Sequence, residues 1–405
     1  MRAILLALTF LAQAAPQPQR PVIRSTVDLV TTDLQVRDEH GQFVSDLGKD
    51  DFEVYEDAVK QNVSMFVLTH GGRVYNETPA QPRVAPEGLL LPPARPPGDK
   101  SGRVFLIFVD DFHFNARLTP RVRDLLKRIE TDLIHDGDLF GVVSSGYSSI
   151  AIDMTYDRKR LTEAIRKVQG AGLPDEVIAT PEGSQGPAEV RHRAHVAFAT
   201  AYEILGKFEQ IHDRRKAFIY ISEGYDFDPY ARSRAKPAAD RNPAPANSST
   251  DTGQVPVTNP FSNTSNEFAA ADLAAELTEL TREANRANTT IYTIDPRGLV
   301  DGPDIDQTTL DSTDWQDHVR ETQNSLRSIA ELTGGIAVVN QNDFEKALKR
   351  IDGETSDYYV VGYYSSNPDP MKKRRTIEIR VKSSPKRHAD RYQLSYRTSY
   401  TLKPY

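Results

Sequence analysis

Six apolar residues in a row, Val104-Phe105-Leu106-Ile107-Phe108-Val109, end abruptly in Asp110 and Asp111. A run with no polar position predicts a strand buried on both faces, the usual centre of a parallel sheet. Thr119 then reads as a helix cap, with Pro120 at the first helical position. Strand, acid and helix in this order begin a doubly wound α/β unit, in which ligands bind beyond the carboxyl ends of the strands. Asp110 and Asp111 fall at that edge. Taken alone, they read equally as solvated loop acids or helix caps.

The same texture recurs downstream. Leu139 to Val143, Ala217 to Ile221 and Thr290 to Ile294 are further buried strands, and Ile336 to Val339 is a short last one. The second of these runs into Ser222-Glu223-Gly224 and the third into Asp295-Pro296. Helical spacing fills the gaps: Val122, Leu125, Leu126, Ile129 and Leu133 share one face, and Leu161, Ile165 and Val168 share another behind Asp157. A long helix is expected around Ala194 to Ile211. Another follows a capping-box pattern at Thr264 and Glu267, and two more span Thr322 to Leu332 and Phe344 to Ile351, the last capped by Asn342. Together these predict an α/β domain over residues 103–355, a doubly wound, mostly parallel sheet flanked by helices. Residues 228–263, poor in apolar side chains, read as a mobile insertion within it.

Both flanks alternate with period two instead. Thr26 to Arg37, Asp51 to Asp57 and Asn62 to Val67 form an amino-terminal β-rich module over residues 22–70, followed by a Pro-rich linker over 71–102. Asp357 to Tyr364, Arg375 to Val381 and Tyr392 to Tyr396 supply strands over 356–398. These are expected to pair with one another and with the first strands, so that the chain's ends build one β-sandwich-like module. Residues 1–14 have a charged start, a short apolar stretch and the small-x-small sequence Ala12-Gln13-Ala14. They read as a secretory signal peptide, which implies export to the periplasm or beyond. That stretch is too short to span a bilayer, and no other approaches the ~20 apolar residues needed. The net charge of −7 and scattered basic residues give no nucleic-acid footprint, and the absence of cysteine excludes thiol chemistry.

Five stretches in order resemble the von Willebrand factor type A domain: Val104 to Asp111, Gly137 to Val143, Arg215 to Gly224, Thr290 to Ile294, and Ile329 to Gly335. With the flanks included, the layout is closest to secreted proteins related to this domain that abound in Acidobacteria. The resemblance implies a metal-ion-dependent adhesion site at the carboxyl edge of the sheet. There an Asp-x-Ser-x-Ser motif, a distant Thr and a later Asp-Gly hold a divalent cation that captures a partner's carboxylate. This sequence departs from that pattern. Counted from Asp110, Phe112 and Phe114 stand where hydroxyls are expected; counted from Asp111, His113 and Asn115 do. Glu223 replaces the later Asp.

Two readings of this edge stay open. In one, Asp110, Asp111, His113, Asn115 and Glu223, with Thr180 and Asp226 as further candidates, form an altered site for Mg²⁺ or Mn²⁺, with Zn²⁺ less favoured. In the other the site is lost, the two aspartates cap a helix or meet an arginine, and the fold persists as a protein-binding or structural envelope scaffold. The expected function is adhesion to another protein or surface ligand. A metal-dependent hydrolase at the same edge is the alternative. No phosphate loop, nucleophile elbow or paired zinc motif favours an enzyme. The insertion after Asp228 flanks this edge and is expected to shape partner choice.

Overall fold

The computed structural model describes residues 29–75, 103–179, 187–209, 211, 214–230, 233, 260–300, 312–367, 369, 371–383 and 391–402. The expected signal segment, most of the linker and most of the insertion lie outside them, as does Thr180. The chain opens with five strands: β1 (Leu29–Arg37), β2 (Phe52–Glu56), β3 (Val59–Gln61), β4 (Val63–His70) and β5 (Arg73–Val74).

The α/β domain follows as β6 (Arg103–Val109), α1 (Thr119–Arg128), β7 (Leu139–Ser144), β8 (Ala151–Thr155), α2 (Lys159–Lys167), α3 (Asp175–Ile178) and α4 (Pro187–Phe208). It continues with β9 (Arg215–Ile221), α5 (Pro260–Arg286), β10 (Thr289–Ile294), α6 (Ser312–Leu332), β11 (Ala337–Val338) and α7 (Phe344–Ser356). Its sheet runs β11-β10-β9-β6-β7-β8, which in the domain's own count is the doubly wound order 3-2-1-4-5-6. All neighbours are parallel except β8, which returns antiparallel to β7. Every residue of the central β6 is buried.

Alternation along β6 splits the core in two. Phe105, Ile107 and Val109 face α1, α2 and α7, against Leu125, Leu161 and Leu348. Val104, Leu106 and Phe108 face α4 and α5, against Ala197, Leu205 and Leu280. Each such aromatic or aliphatic side chain contributes roughly 1.5–3 kcal/mol by leaving water, so the unbroken apolar run dictates the centre of the fold.

The last strands are β12 (Tyr358–Tyr364), β13 (Arg374–Val381), β14 (Gln393–Tyr396) and β15 (Ser399–Thr401). They interleave with the first ones. One antiparallel sheet runs β14-β1-β12-β4-β5 and the other β15-β13-β2-β3, so each takes strands from both ends of the chain. Phe52, Val54, Phe66, Tyr359, Val361, Ile377 and Ile379 fill the space between them. The sandwich sits at the amino ends of the parallel strands. Asp33 of β1 accepts from Asn288 Nδ2 at 2.7 Å and pairs with Arg215 at 3.4 Å, and Tyr358 Oη accepts from Arg215 N at 2.9 Å.

Several local expectations are corrected. Thr119 is the first residue of α1, and its hydroxyl accepts from Gly170 N at 3.0 Å, tying the helix to the loop after α2. Asp343, not Asn342, caps α7 by accepting from Lys346 N at 3.0 Å; Asn342 Oδ1 instead accepts from Arg121 and Leu299 N. At the start of the segment read as mobile, Tyr230 is buried with its ring 4.6 Å from that of His318, and Ser233 donates to Asp314.

At the amino end of β6, Arg103 is 1% exposed and pairs with Asp138 and Asp352, while its Nη1 donates to Ser356 at 2.9 Å. Removing one partner of a buried pair leaves a desolvated charge, and Asp138 is itself buried. Arg103→Met is therefore expected to lower stability by about 3–5 kcal/mol in urea unfolding, and a loss below ~1 kcal/mol would contradict this pairing.

Candidate binding cleft at the carboxyl edge of the sheet

The parallel register brings β6, β9 and β10 to one rim. Asp110 N donates to Ile221 O at 2.9 Å, Ser222 N to Ile294 O at 3.2 Å, and Asp295 N to Val338 O at 2.9 Å. Three acidic or hydroxyl side chains thus leave the strand ends together. A 3-10 turn over Asp111–His113 follows β6 at once.

Asp110 is fully buried. Its Oδ1 meets His113 Nδ1 at 2.9 Å, and its Oδ2 accepts from Ser222 Oγ at 2.9 Å and Tyr225 Oη at 2.5 Å. Tyr225 Oη is in turn hydrogen-bonded to Tyr220 Oη. Burial alone would lift the Asp110 carboxyl, but His113, Tyr225 and Ser222 hold it below the ordinary carboxylate value. Asp111, also fully buried, turns the other way: it accepts from Ser145 Oγ at 2.8 Å, Gly146 N at 3.0 Å and Ser148 N at 2.5 Å, and so ties down the β7–β8 loop.

Between this turn, the loop before α3, the start of α4 and the loop after β9 lies a cleft of about 60 Å³. His113, Asp175, Glu223, Asp226 and His318 line it. Asp226 Oδ2 pairs with His318 Nδ1 at 2.8 Å. Asn115 N donates to Glu223 Oε1 at 3.1 Å, and burial pushes the Glu223 carboxyl up to about 7 against the pull of Arg297. Arg297 itself is tied to Asp295 at 2.8 Å, to Thr322 Oγ1 at 3.0 Å and to Glu223 O at 2.6 Å. Gly224 has φ +90, and a Cβ there would lie 2.1 Å from Thr322 O; only glycine lets the loop run this close to α6.

His113 leaves one atom unanswered. Nε2 is buried and has no hydrogen-bond partner.

The donor set does not fit a divalent cation. At the two positions where the adhesion motif carries hydroxyls, the Phe114 ring is fully buried in the core, and Phe112 lies under Arg193 and against Gly146. Along the alternative register, Asp111 faces the β7–β8 loop, His113 turns back to Asp110, and Asn115 Oδ1 caps the next turn by accepting from Arg117 N at 3.0 Å. Glu223 and Asp226 have the partners given above. Of the sequence-based candidates, His113, Asn115, Glu223 and Asp226 line this one cleft, Asp110 and Asp111 are fully buried and not part of its wall, and no group of three or more His, Asp or Glu among the described residues could hold a metal. The sequence-based candidates omitted Asp175, Asp295, Arg297 and His318. Asp295 had a visible signal, a strand ending in acid just as β6 does; His318 had none.

No family model matches the chain, and no curated protein does. Similar solved structures include an aerotolerance-related membrane protein of Bacteroides fragilis, at 10% identity over 63% of this chain and 98% of that one, TM-score 0.32. Others are the manganese-loaded TRAP protein of Plasmodium vivax, at 12% over 73% and 93%, TM-score 0.28, and the vWF domain of the type V pili tip protein Mfa5 of Porphyromonas gingivalis, at 14% over 62% and 93%, TM-score 0.31. Scores this low carry no inference, and the doubly wound fold stands on its own strand order and register.

Glu223 makes stability depend on pH. Folded, it keeps its proton to about pH 7; unfolded, it releases it near the ordinary value of 4.5. Its contribution is therefore full below the ordinary value and is lost as pH rises toward 7. Glu223→Gln is expected to melt with the parent at pH ~5 and above it at pH ~8. A variant less stable than the parent at both values would show an ionised Glu223 that the fold needs.

Proposed function

We propose that the chain is an exported von Willebrand factor type A protein that binds another protein at the carboxyl-edge cleft, directly and without turnover. What carries this reading is the state of the donors there. Asp110 and Asp111 are consumed by internal hydrogen bonds, while the carboxyl groups of Asp175, Glu223 and Asp226 line the cleft wall. Three carboxyl groups against one arginine, Arg193, on the wall suit a cation such as a lysine or arginine side chain, rather than the carboxylate that a metal would capture. The family reading is supported by the strand order and by the quoted motifs: Val104 to Asp111 makes β6 and its acids, Ser222-Glu223-Gly224 closes β9, and Thr333-Gly334-Gly335 leads into β11. Export rests on residues 1–14, and no helix among the described residues is long and apolar enough to cross a membrane.

A photoreactive residue at Phe227, on the cleft wall, is expected to label a partner protein, and Asp226→Lys to weaken that labelling by about tenfold or more. Asp136→Lys, on an exposed turn far along the chain, is expected to leave labelling intact. Equal labelling in both variants would put the contact elsewhere.

A further inference from the structure

A second cavity, of about 210 Å³, lies at the opposite end of the parallel sheet, where the α/β domain meets the sandwich. Its wall combines the amino ends of β9 and β10, the Thr333–Ile336 turn, α7, β1 and β14. By the same measure a single water needs only ~10–15 Å³, so the space is large enough for a small polyatomic solute. Three guanidinium groups face it, from Arg215, Arg350 and Arg397, against two carboxylates, Asp33 and Glu354.

Both carboxylates are already engaged. Asp33 is held by Asn288 and Arg215, and Glu354 by Arg350 at 3.5 Å. Arg397 has no carboxylate partner among the described residues: it donates to the carbonyls of Thr31 and Asn285 and lies 3.5 Å from Thr32 Oγ1. Burial pulls its guanidinium below the ordinary value, with Asp33 opposing. Arg215 is also incompletely met. Its side chain is 8% exposed, its contacts to Asp33 and Tyr292 are long at 3.4 and 3.3 Å, and its Nε, buried, has no partner. Arg397 is half-buried without a carboxylate partner and the buried Arg215 is only loosely met, so an anion entering the cavity would find the fixed fork of donors that arginine presents.

We propose that this cavity binds a small oxyanion, a carboxylate- or phosphate-bearing solute, held by Arg215, Arg350 and Arg397. Since Arg215 and Arg350 belong to the α/β domain and Arg397 to the sandwich, the bound anion fastens the two modules together. A ligand that binds only the folded chain raises the unfolding temperature, so occupancy has a readout independent of any partner.

The test is calorimetric titration of the purified full chain with inorganic phosphate, sulfate and citrate, in chloride buffer at constant ionic strength. Saturable binding of at least one is expected, with a raised melting temperature; which one binds separates a phosphate from a carboxylate source. Arg397→Gln is expected to weaken binding about tenfold or more, the loss typical of a charge-assisted contact. Arg350→Gln removes a guanidinium that is 66% exposed, so the fold persists, and a severalfold loss is expected there. Absence of saturable heat with all three anions, or undiminished binding by Arg350→Gln and Arg397→Gln, would overturn the assignment.

Discussion

A carboxylate at the end of the central strand, removed from water, is the constraint on which the carboxyl edge depends. Burying such a charge costs several kcal/mol unless hydrogen bonds and an opposite charge meet it. For Asp110 those partners come from three separate places in the chain: His113 in the turn that follows, Ser222 at the end of the neighbouring strand, and Tyr225 in the loop beyond. Turning His113 inward commits its Nδ1 to Asp110. The close course of the 222–225 loop, which only glycine at position 224 allows, brings Tyr225 into reach. Satisfying the acid thus draws the turn after β6 and the loop after β9 together.

The two ends of the sheet have opposite polarity in their buried charges. Acids collect at the carboxyl ends, in Asp110, Asp111 and Asp295, and bases at the amino ends, in Arg103, Arg215 and Lys216. Arg103 is compensated within the α/β domain by Asp138 and Asp352, and Lys216 by the carbonyls of Phe208 and Ile211. Arg215 reaches across to Asp33 of the sandwich. The β-module, made from both chain ends, therefore supplies counter-charges to the sheet as well as covering it. Among the described residues each end carries a polar concavity, lined by Asp175, Glu223 and Asp226 at the carboxyl side and by Arg215, Arg350 and Arg397 at the amino side.

Much of this was legible in the residues. The unbroken apolar runs located the parallel strands because full burial permits no polar position, and the 3.6-residue spacing of Val122, Leu125, Leu126 and Ile129 picked out the face of α1 that enters the core. Asp110 and Glu223 were placed at the correct edge by the same logic. Their orientations were not legible. Whether Asp111 faces a ligand or the β7–β8 loop is decided by Ser145, Gly146 and Ser148, which the sheet brings near and the sequence does not. Spacing likewise made Asp111, His113 and Asn115 look like one ligand set, whereas Asp111 turns to the β7–β8 loop and only His113 and Asn115 line the cleft. His318 reaches Asp226 only through the packing of α6, and no local pattern marks it.

At this edge internal donors engage Asp110 and Asp111 in place of a metal. The most direct measurement is calorimetric titration of the chelator-treated protein with Mn²⁺ and Mg²⁺, alongside Asp111→Ala. No saturable heat in the parent, and a lower melting temperature in the variant whether or not metal is added, is the result predicted. Saturable binding in the parent that Asp111→Ala abolishes would contradict it, and would restore a cation to the cleft.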